Sequence, residues 1–207
     1  MKPHRLFLFL SLCIALTLSG FTTVQGQTKD QLNSYVGRYD YNEGMVLIVT
    51  LEADQMVVQL TGQDKVAVFP VSENEFHPKE IEASMKFITD ENGTVTHIIH
   101  NQNGMQFEAK RLPDETPVSV DPAVFDKYVG KYDVGNNTVV VITKEGDKLF
   151  GQGLNLPPYE LLPASETEYF LRELNARLNF VVSDDGTVNS INIDFAGQFS
   201  SAMRIGE

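Results

Sequence analysis

The chain has 207 residues, of which 28 are acidic and 16 are Lys or Arg, so its formal net charge at pH 7 is −12. This acidity argues against nucleic-acid binding, which needs a basic surface, and against docking on anionic lipid. Cys13 is the only cysteine. It lies in the leader described next, so we expect neither disulfides nor thiolate chemistry in the mature chain.

Residues 1–26 predict a secretory signal peptide. Lys2 and Arg5 precede an apolar run that ends near Leu18, and small residues follow. The run is shorter than the roughly 20 residues that a membrane span needs. We place cleavage near Gly26 and expect an exported protein, periplasmic or secreted, with no membrane insertion after cleavage.

The rest of the chain contains an internal repeat, a feature that decides the architecture. The phrase YVGRYDY at 35–41 returns as YVGKYDV at 128–134, and this register of 93 residues holds without a gap as far as Arg111 and Arg204. We therefore predict a tandem duplication. The stretch PDETPVSV between the copies has two prolines and two acids and is typical of a linker. The predicted divisions are a signal peptide, a first repeat, a linker and a second repeat, at 1–26, 27–112, 113–120 and 121–207.

Each repeat opens with a short helix in this interpretation. Thr28 with Gln31 three residues later has the spacing of a capping box. In the second repeat Asp121 is the predicted cap and a proline follows it. Gly37 and Gly130 stand where a helix would end in the left-handed conformation.

Short strand-like runs follow each helix, and turn signals such as DENG, NQNG and SDDG separate them. Strands at spacings of about ten residues, with no helices between them, predict an antiparallel meander. Seven or eight such strands in one repeat would close into a small barrel or a strongly curved sheet, which also protects the edges. The predicted fold class is all-β, with two tandem antiparallel units, each preceded by a short helix.

The motifs YVGRYDY, QLTGQ, FPVSENEF, NQNG and AKRL, in this order, make the first repeat resemble a known family. It is similar to the lipocalin-like domain of unknown function found C-terminal to serine-β-lactamase-like peptidases and esterases. The second repeat resembles it more faintly. The resemblance implies small lipocalin-like barrels that serve as accessory or assembly modules, and it brings no catalytic residues.

The sequence offers no recognisable catalytic centre. It has no Ser-x-x-Lys and no Gly-x-Ser-x-Gly, so it lacks the acylating serine of β-lactamase-like enzymes and the nucleophile elbow of hydrolases. His97 and His100 are three residues apart on a predicted strand, which places the two imidazoles on opposite faces and disfavours a shared metal ion. We predict no catalytic residues, no metal and no cofactor, and hence no enzyme.

Comparing the two repeats gives the candidate site. His100 and Gln102 share a strand face with Ile98, and their counterparts in the second repeat are the apolar Ile193 and Phe195. We therefore expect both polar side chains to point into the first barrel. The run that includes QLTGQ shows the same contrast, with polar Thr61 and Gln63 where the second repeat has leucines. The predicted lining of the first barrel, a weak candidate for ligand binding, is Gln59, Thr61, Gln63, His100 and Gln102.

Three functions remain open at this point. The leading hypothesis is an exported, non-catalytic accessory or binding module that holds a small ligand or a peptide in the first barrel. Buried polar groups need hydrogen-bond partners, so a mutually satisfied polar network or a wet barrel mouth is the alternative reading of the same residues. The second hypothesis is a structural or oligomerisation module that contacts partner subunits, including other copies. The third is a hydrolase-like enzyme with an unrecognised site. The second repeat, with GLNLPPYELLP and DFAGQF, suits an apolar cavity or a protein contact.

Overall fold

The computed structural model describes residues 27–153 and 156–206. The predicted signal peptide and its cleavage site lie outside the described residues. No helix in these two ranges is long and apolar enough to cross a membrane.

The first repeat is one α-helix followed by a closed barrel of eight antiparallel strands in meander order. Helix α1 spans Lys29–Tyr35, and Thr28 and Gln31 form the predicted capping box at its start. The barrel closes where β1 pairs with β8. The strands are β1 (Gly37–Asn42), β2 (Met45–Glu52), β3 (Gln55–Leu60), β4 (Val66–Pro70), β5 (Glu75–Pro78), β6 (Ala83–Thr89), β7 (Val95–Gln102) and β8 (Met105–Arg111).

The second repeat has the same topology, with β16 pairing back onto β9 to close a second eight-stranded barrel. A 3₁₀ helix over Pro122–Lys127, capped by the Asp121 side chain, stands where the first repeat has α1. The strands are β9 (Gly130–Gly135), β10 (Thr138–Glu145), β11 (Lys148–Gln152), β12 (Tyr159–Pro163), β13 (Glu168–Leu171), β14 (Ala176–Val182), β15 (Val188–Phe195) and β16 (Gln198–Gly206). The predicted all-β fold of two tandem antiparallel barrels is confirmed.

One end of each barrel is filled by aromatic side chains. Tyr35, at the end of α1, stacks on Phe87 with ring centroids 4.4 Å apart, and the equivalent Tyr128 stacks on Phe180 at 4.1 Å. Both tyrosine hydroxyls donate to a carbonyl in the turn that follows the fourth strand of their barrel. The short helix therefore acts as a plug, fixed to the barrel by stacking and by one hydrogen bond.

The repeated Tyr-Val-Gly-x-Tyr phrase joins this plug to the first strand. In the second copy the buried Tyr132 donates its hydroxyl proton to the carbonyl of Tyr128, at 2.8 Å. Arg204, from the last strand, donates to the carbonyl of Val129, at 2.6 Å. Its guanidinium crosses over Gly130, where an added Cβ would lie 3.1 Å from Nε. The same arrangement recurs in the first copy.

This crossing corrects the prediction for the two glycines. Gly37 and Gly130 have φ of +158° and +153° and begin strands, so neither is a left-handed helix terminus. The guanidinium of Arg111 passes within 3.1–3.3 Å of the place that a Cβ on Gly37 would occupy, so a larger residue there would push the guanidinium aside. The repeated phrase is a structural closure: α1 ends at its first residue, Tyr35, and the 3₁₀ helix of the second copy ends at Lys127, one residue before it.

The two barrels touch through their rims. Arg38 on β1 donates three hydrogen bonds, at 2.7, 2.9 and 3.1 Å, to carbonyls at the last residue of β13 and in the loop that joins it to β14. In the same loop Asn175 donates its backbone N–H to the carbonyl of Gly44, at 2.8 Å. Gly44 lies against the Phe195 ring, since a Cβ there would lie 2.3 Å from it. Glu115, in the predicted linker, pairs with Arg38 across the joint.

Candidate functional site: one cavity in each barrel

Each barrel contains a cavity at the end opposite its helical plug. This end carries the hairpin loops β1–β2, β3–β4, β5–β6 and β7–β8 in the first barrel and their counterparts in the second. Each of the 14 residues that line the first cavity has its counterpart, 93 residues later, among those that line the second. The duplication has therefore kept the same cavity in both copies, while the side chains that line it have diverged.

The first cavity has a volume of about 160 Å³ and a partly polar wall. Tyr41 on β1 and His100 on β7 meet there, with the Tyr41 hydroxyl 2.7 Å from Nδ1 of His100. Tyr41 also stacks on Phe107. Burial lowers the pKa of His100 below its ordinary value, so the neutral imidazole is favoured. The pair provides a fixed polar group on this wall.

Three of the five predicted lining residues reach this cavity. Gln63, His100 and Gln102 are on its wall, as is Asp64. His100 and Gln102 follow the buried Ile98 with the expected period of two.

The other two residues lie elsewhere, so the predicted lining was wrong for them. On β3 the core residues are Met56 and Val58, and Leu60 packs against the same core. Gln59 alternates with them, faces outward and donates to the Gln63 carbonyl. Thr61 belongs to the joint between the barrels, where its hydroxyl donates to the Glu173 carbonyl.

The second cavity is larger and apolar, with a volume of about 250 Å³. The positions of Tyr41, Gln63, His100 and Gln102 are occupied there by Val134, Leu156, Ile193 and Phe195. The sequence analysis missed two further differences between the copies, although the 93-residue register aligns these positions. Gly151 and Gly153 stand on this wall at the positions of Val58 and Leu60.

Two buried polar atoms lie in this region of the second barrel. The Tyr159 hydroxyl and Oε2 of Glu173 make no hydrogen bond within residues 27–153 and 156–206. Tyr159 lines the cavity. Burial, and next the negative charge of Glu173, raise the pKa of Tyr159, so its hydroxyl stays protonated. The cavity wall thus contains one neutral hydroxyl that lacks a protein acceptor.

Clusters suited to metal chemistry are not seen in the described part of the chain, where no three His, Cys, Asp or Glu side chains are grouped to hold an ion. The His97 and His100 side chains contact different residues. His97 has its Nδ1 2.9 Å from the Thr96 hydroxyl, whereas His100 contacts Tyr41.

Comparison with known proteins gives a family and distant relatives. Over 89 residues the chain is 29% identical to Penicillin-binding protein 4* of Bacillus subtilis (strain 168), an alignment that covers 42% of this chain and 20% of that protein. A protein of unknown function from the DUF3598 family of Nostoc punctiforme PCC 73102 aligns over 87% of this chain and all of its own, at 9% identity and a TM-score of 0.23. The DNA polymerase sliding clamp of Pseudomonas aeruginosa aligns over 87% of this chain and 59% of its own, at 11% identity and a TM-score of 0.15. Such TM-scores carry no structural argument. The family named Domain of unknown function (DUF3471) matches residues 22–113 and again 114–204, and the chain therefore belongs to this family, with two tandem copies of its domain.

Proposed function

We propose that the protein is an exported, non-catalytic accessory module whose first barrel binds a small polar ligand or a short peptide group. The observation that carries this proposal is the polar wall formed by Tyr41, His100, Gln63 and Gln102, because the second barrel has an apolar residue at each of these four positions. Eight-stranded closed barrels, as in lipocalins, are just wide enough to hold one small ligand.

The wall also limits the chemistry of the ligand. Asp64 and the two glutamine side chains provide hydrogen-bond acceptors, and none of the described residues that line the cavity is a Lys or Arg. Such a wall favours a neutral or cationic ligand with N–H or O–H donors over an anion. The partial similarity to Penicillin-binding protein 4* supports an accessory role beside a larger protein, because it spans only one fifth of that relative.

Native mass spectrometry of the mature protein, purified gently from its own cell envelope, tests this proposal. We expect a retained mass in the wild type that is lost in His100→Ile, which installs the residue of the second barrel. His97→Ile on the same strand is the matched control, and it should keep the mass because His97 does not line the cavity. A ligand-free wild type, or a His100→Ile variant that keeps the mass, contradicts ligand binding in the first barrel.

A second candidate function is assembly, and the outer face of β16 favours it. Phe199, Met203 and Ile205 point outward from this strand with exposed fractions of 82%, 58% and 58%. Large apolar side chains aligned on one exposed strand are typical of protein contacts. The partner in this proposal is a second copy of the chain, whose own β16 presents the same stripe and so permits a two-fold contact. Light scattering of the wild type and of Phe199→Ser with Met203→Ser tests it, since only the wild type should dimerise.

A further inference from the structure

The second cavity owes its size to two glycines that the backbone does not require. Gly151 is the last residue but one of β11 and Gly153 directly follows the strand, and neither has a positive φ. A Cβ at Gly151 would lie 3.3 Å from the Leu161 side chain, and one at Gly153 would lie 3.2 Å from Cγ2 of Val140. Small shifts of these side chains would accommodate a Cβ. Both glycines stand on the cavity wall, so a larger side chain at either position, after such shifts, would take up part of the cavity.

The sister barrel shows that the fold accepts larger residues at these positions. Val58 is buried in the core of the first barrel, and Leu60 packs against the same core. With these side chains present, the first cavity measures about 160 Å³, against about 250 Å³ for the second. An empty apolar cavity lowers stability in proportion to its volume. A molecule that fills the second cavity would remove this penalty.

The wall defines the chemical class of that molecule. Among the described residues no charged side chain lines the second cavity, and its interior is built from aliphatic side chains with the rings of Phe195 and Tyr159. An ionised ligand group would lose its hydration there without a partner, which is unfavourable. The polar residues Gln152, Gln198 and Ser200 stand on the exposed part of the wall. A neutral polar group on the ligand can meet them at the mouth.

We propose that the second barrel binds an uncharged, mainly hydrocarbon molecule of about ten carbon atoms, with at most a neutral polar group such as a hydroxyl. The size follows by proportion from apolar cavities of about 150 Å³, which hold benzene with its six carbons. This site is distinct from the polar cavity of the first barrel, and it does not depend on what that barrel binds.

Binding of the neutral fluorophore N-phenyl-1-naphthylamine, and its displacement by 1-decanol, tests this inference on the mature protein. We expect saturable fluorescence enhancement in the wild type and displacement by 1-decanol. Decanoate and decyltrimethylammonium, of the same chain length but charged, should displace the fluorophore at least about tenfold less well, because their head groups resist desolvation.

Gly153→Leu, which copies the first barrel, should weaken fluorophore binding at least about tenfold. Thr143→Leu is the matched control, because Thr143 is exposed on β10 and outside the cavity. Binding by Thr143→Leu must equal that of the wild type. His100→Ile must also bind normally, which separates this site from the first barrel.

Melting temperatures, measured with and without ligand, give a second readout that also shows whether each variant is folded. Gly153→Leu should melt at or above the wild-type temperature without ligand, and 1-decanol should raise the melting temperature of the wild type and of Thr143→Leu but not of Gly153→Leu. Should Gly153→Leu unfold, Gly151→Val replaces it with the same expectation. Absence of binding in the wild type, equal binding by the filled variants, or equal affinity for decanoate overturns the proposal.

Discussion

Replacing Arg38 by Met tests how the two barrels are held together. The Arg38 side chain is only 12% exposed, and its three hydrogen bonds all end on carbonyls of the other barrel, at the end of β13 and in the β13–β14 loop. Hydrogen bonds to charged groups contribute about 1.5–3 kcal/mol each, so three would sum to at least about 4.5 kcal/mol. Water at the rim can replace part of this in the variant. We therefore expect the coupling between the barrels to fall by about 2–4 kcal/mol.

Differential scanning calorimetry of the mature protein, with hydrogen exchange resolved by barrel, measures this coupling. The wild type should unfold in one cooperative transition, and Arg38→Met should separate it into two, one for each barrel. Lys131→Met is the matched control, because Lys131 occupies the equivalent position on β9, is exposed, and makes no contact of this kind. The reasoning is refuted if Arg38→Met keeps a single transition at the wild-type temperature, or if Lys131→Met has the same effect.

Three further predictions concern single residues. Burial holds the pKa of His100 below its ordinary value of 6.5, so the unfolded chain binds the proton more tightly. Urea unfolding should therefore show stability falling as the pH drops below about 6.5, until the folded-state pKa is passed, and His100→Ile should reduce this slope. Tyr159→Phe removes a hydroxyl without a described partner, so it should be neutral or stabilising by up to about 1 kcal/mol. Tyr132→Phe breaks a buried 2.8 Å hydrogen bond and should lower the free energy of unfolding by about 1–3 kcal/mol. Thermal melts of the two variants test both expectations. Gly130→Ala, which places a Cβ 2.9 Å from a backbone oxygen, should cost about 1–3 kcal/mol in the same assay, and Gly206→Ala, with open space around it, should cost less.

The repeat in the sequence was sufficient to predict the architecture. An unbroken 93-residue register meant that each copy had to be a complete folding unit, and the turn signals marked the hairpins. The inward direction of His100 and Gln102 followed from the same register. The equivalent strand of the second barrel has Ile193 and Phe195 at these positions, and apolar side chains on a strand face the core.

The register was less informative where a strand ends. Gln59 and Gln63 share a parity, so the sequence predicted that they face the same side. Strand β3 ends at Leu60, and Gly62 has φ of +73° in the turn that follows. The turn brings Gln63 to the cavity while Gln59 stays outside. Period-two reasoning holds only within one regular strand.

The contact between the barrels was beyond sequence reasoning. Its central residue, Arg38, differs from its counterpart Lys131 by a substitution that looks conservative. Only the structure shows that the planar guanidinium donates to three carbonyls at once, which an ammonium on a flexible stem does not reproduce.

The rim-to-rim joint also bears on whether further barrels could repeat the same contact. It is heterologous, since the β1–β2 side of the first barrel meets the β13–β14 side of the second. A repeated contact of this type builds a ring or an open filament, depending on whether its rotation closes. The free β9–β10 side of the second barrel has Asn137 where the joint needs Gly44, whose missing Cβ makes room for a phenylalanine ring. It also has Lys131 in place of Arg38. The same contact therefore cannot form in the same way on the β9–β10 side, so the divergence of the two copies makes this joint specific to the β1–β2 side of the first barrel.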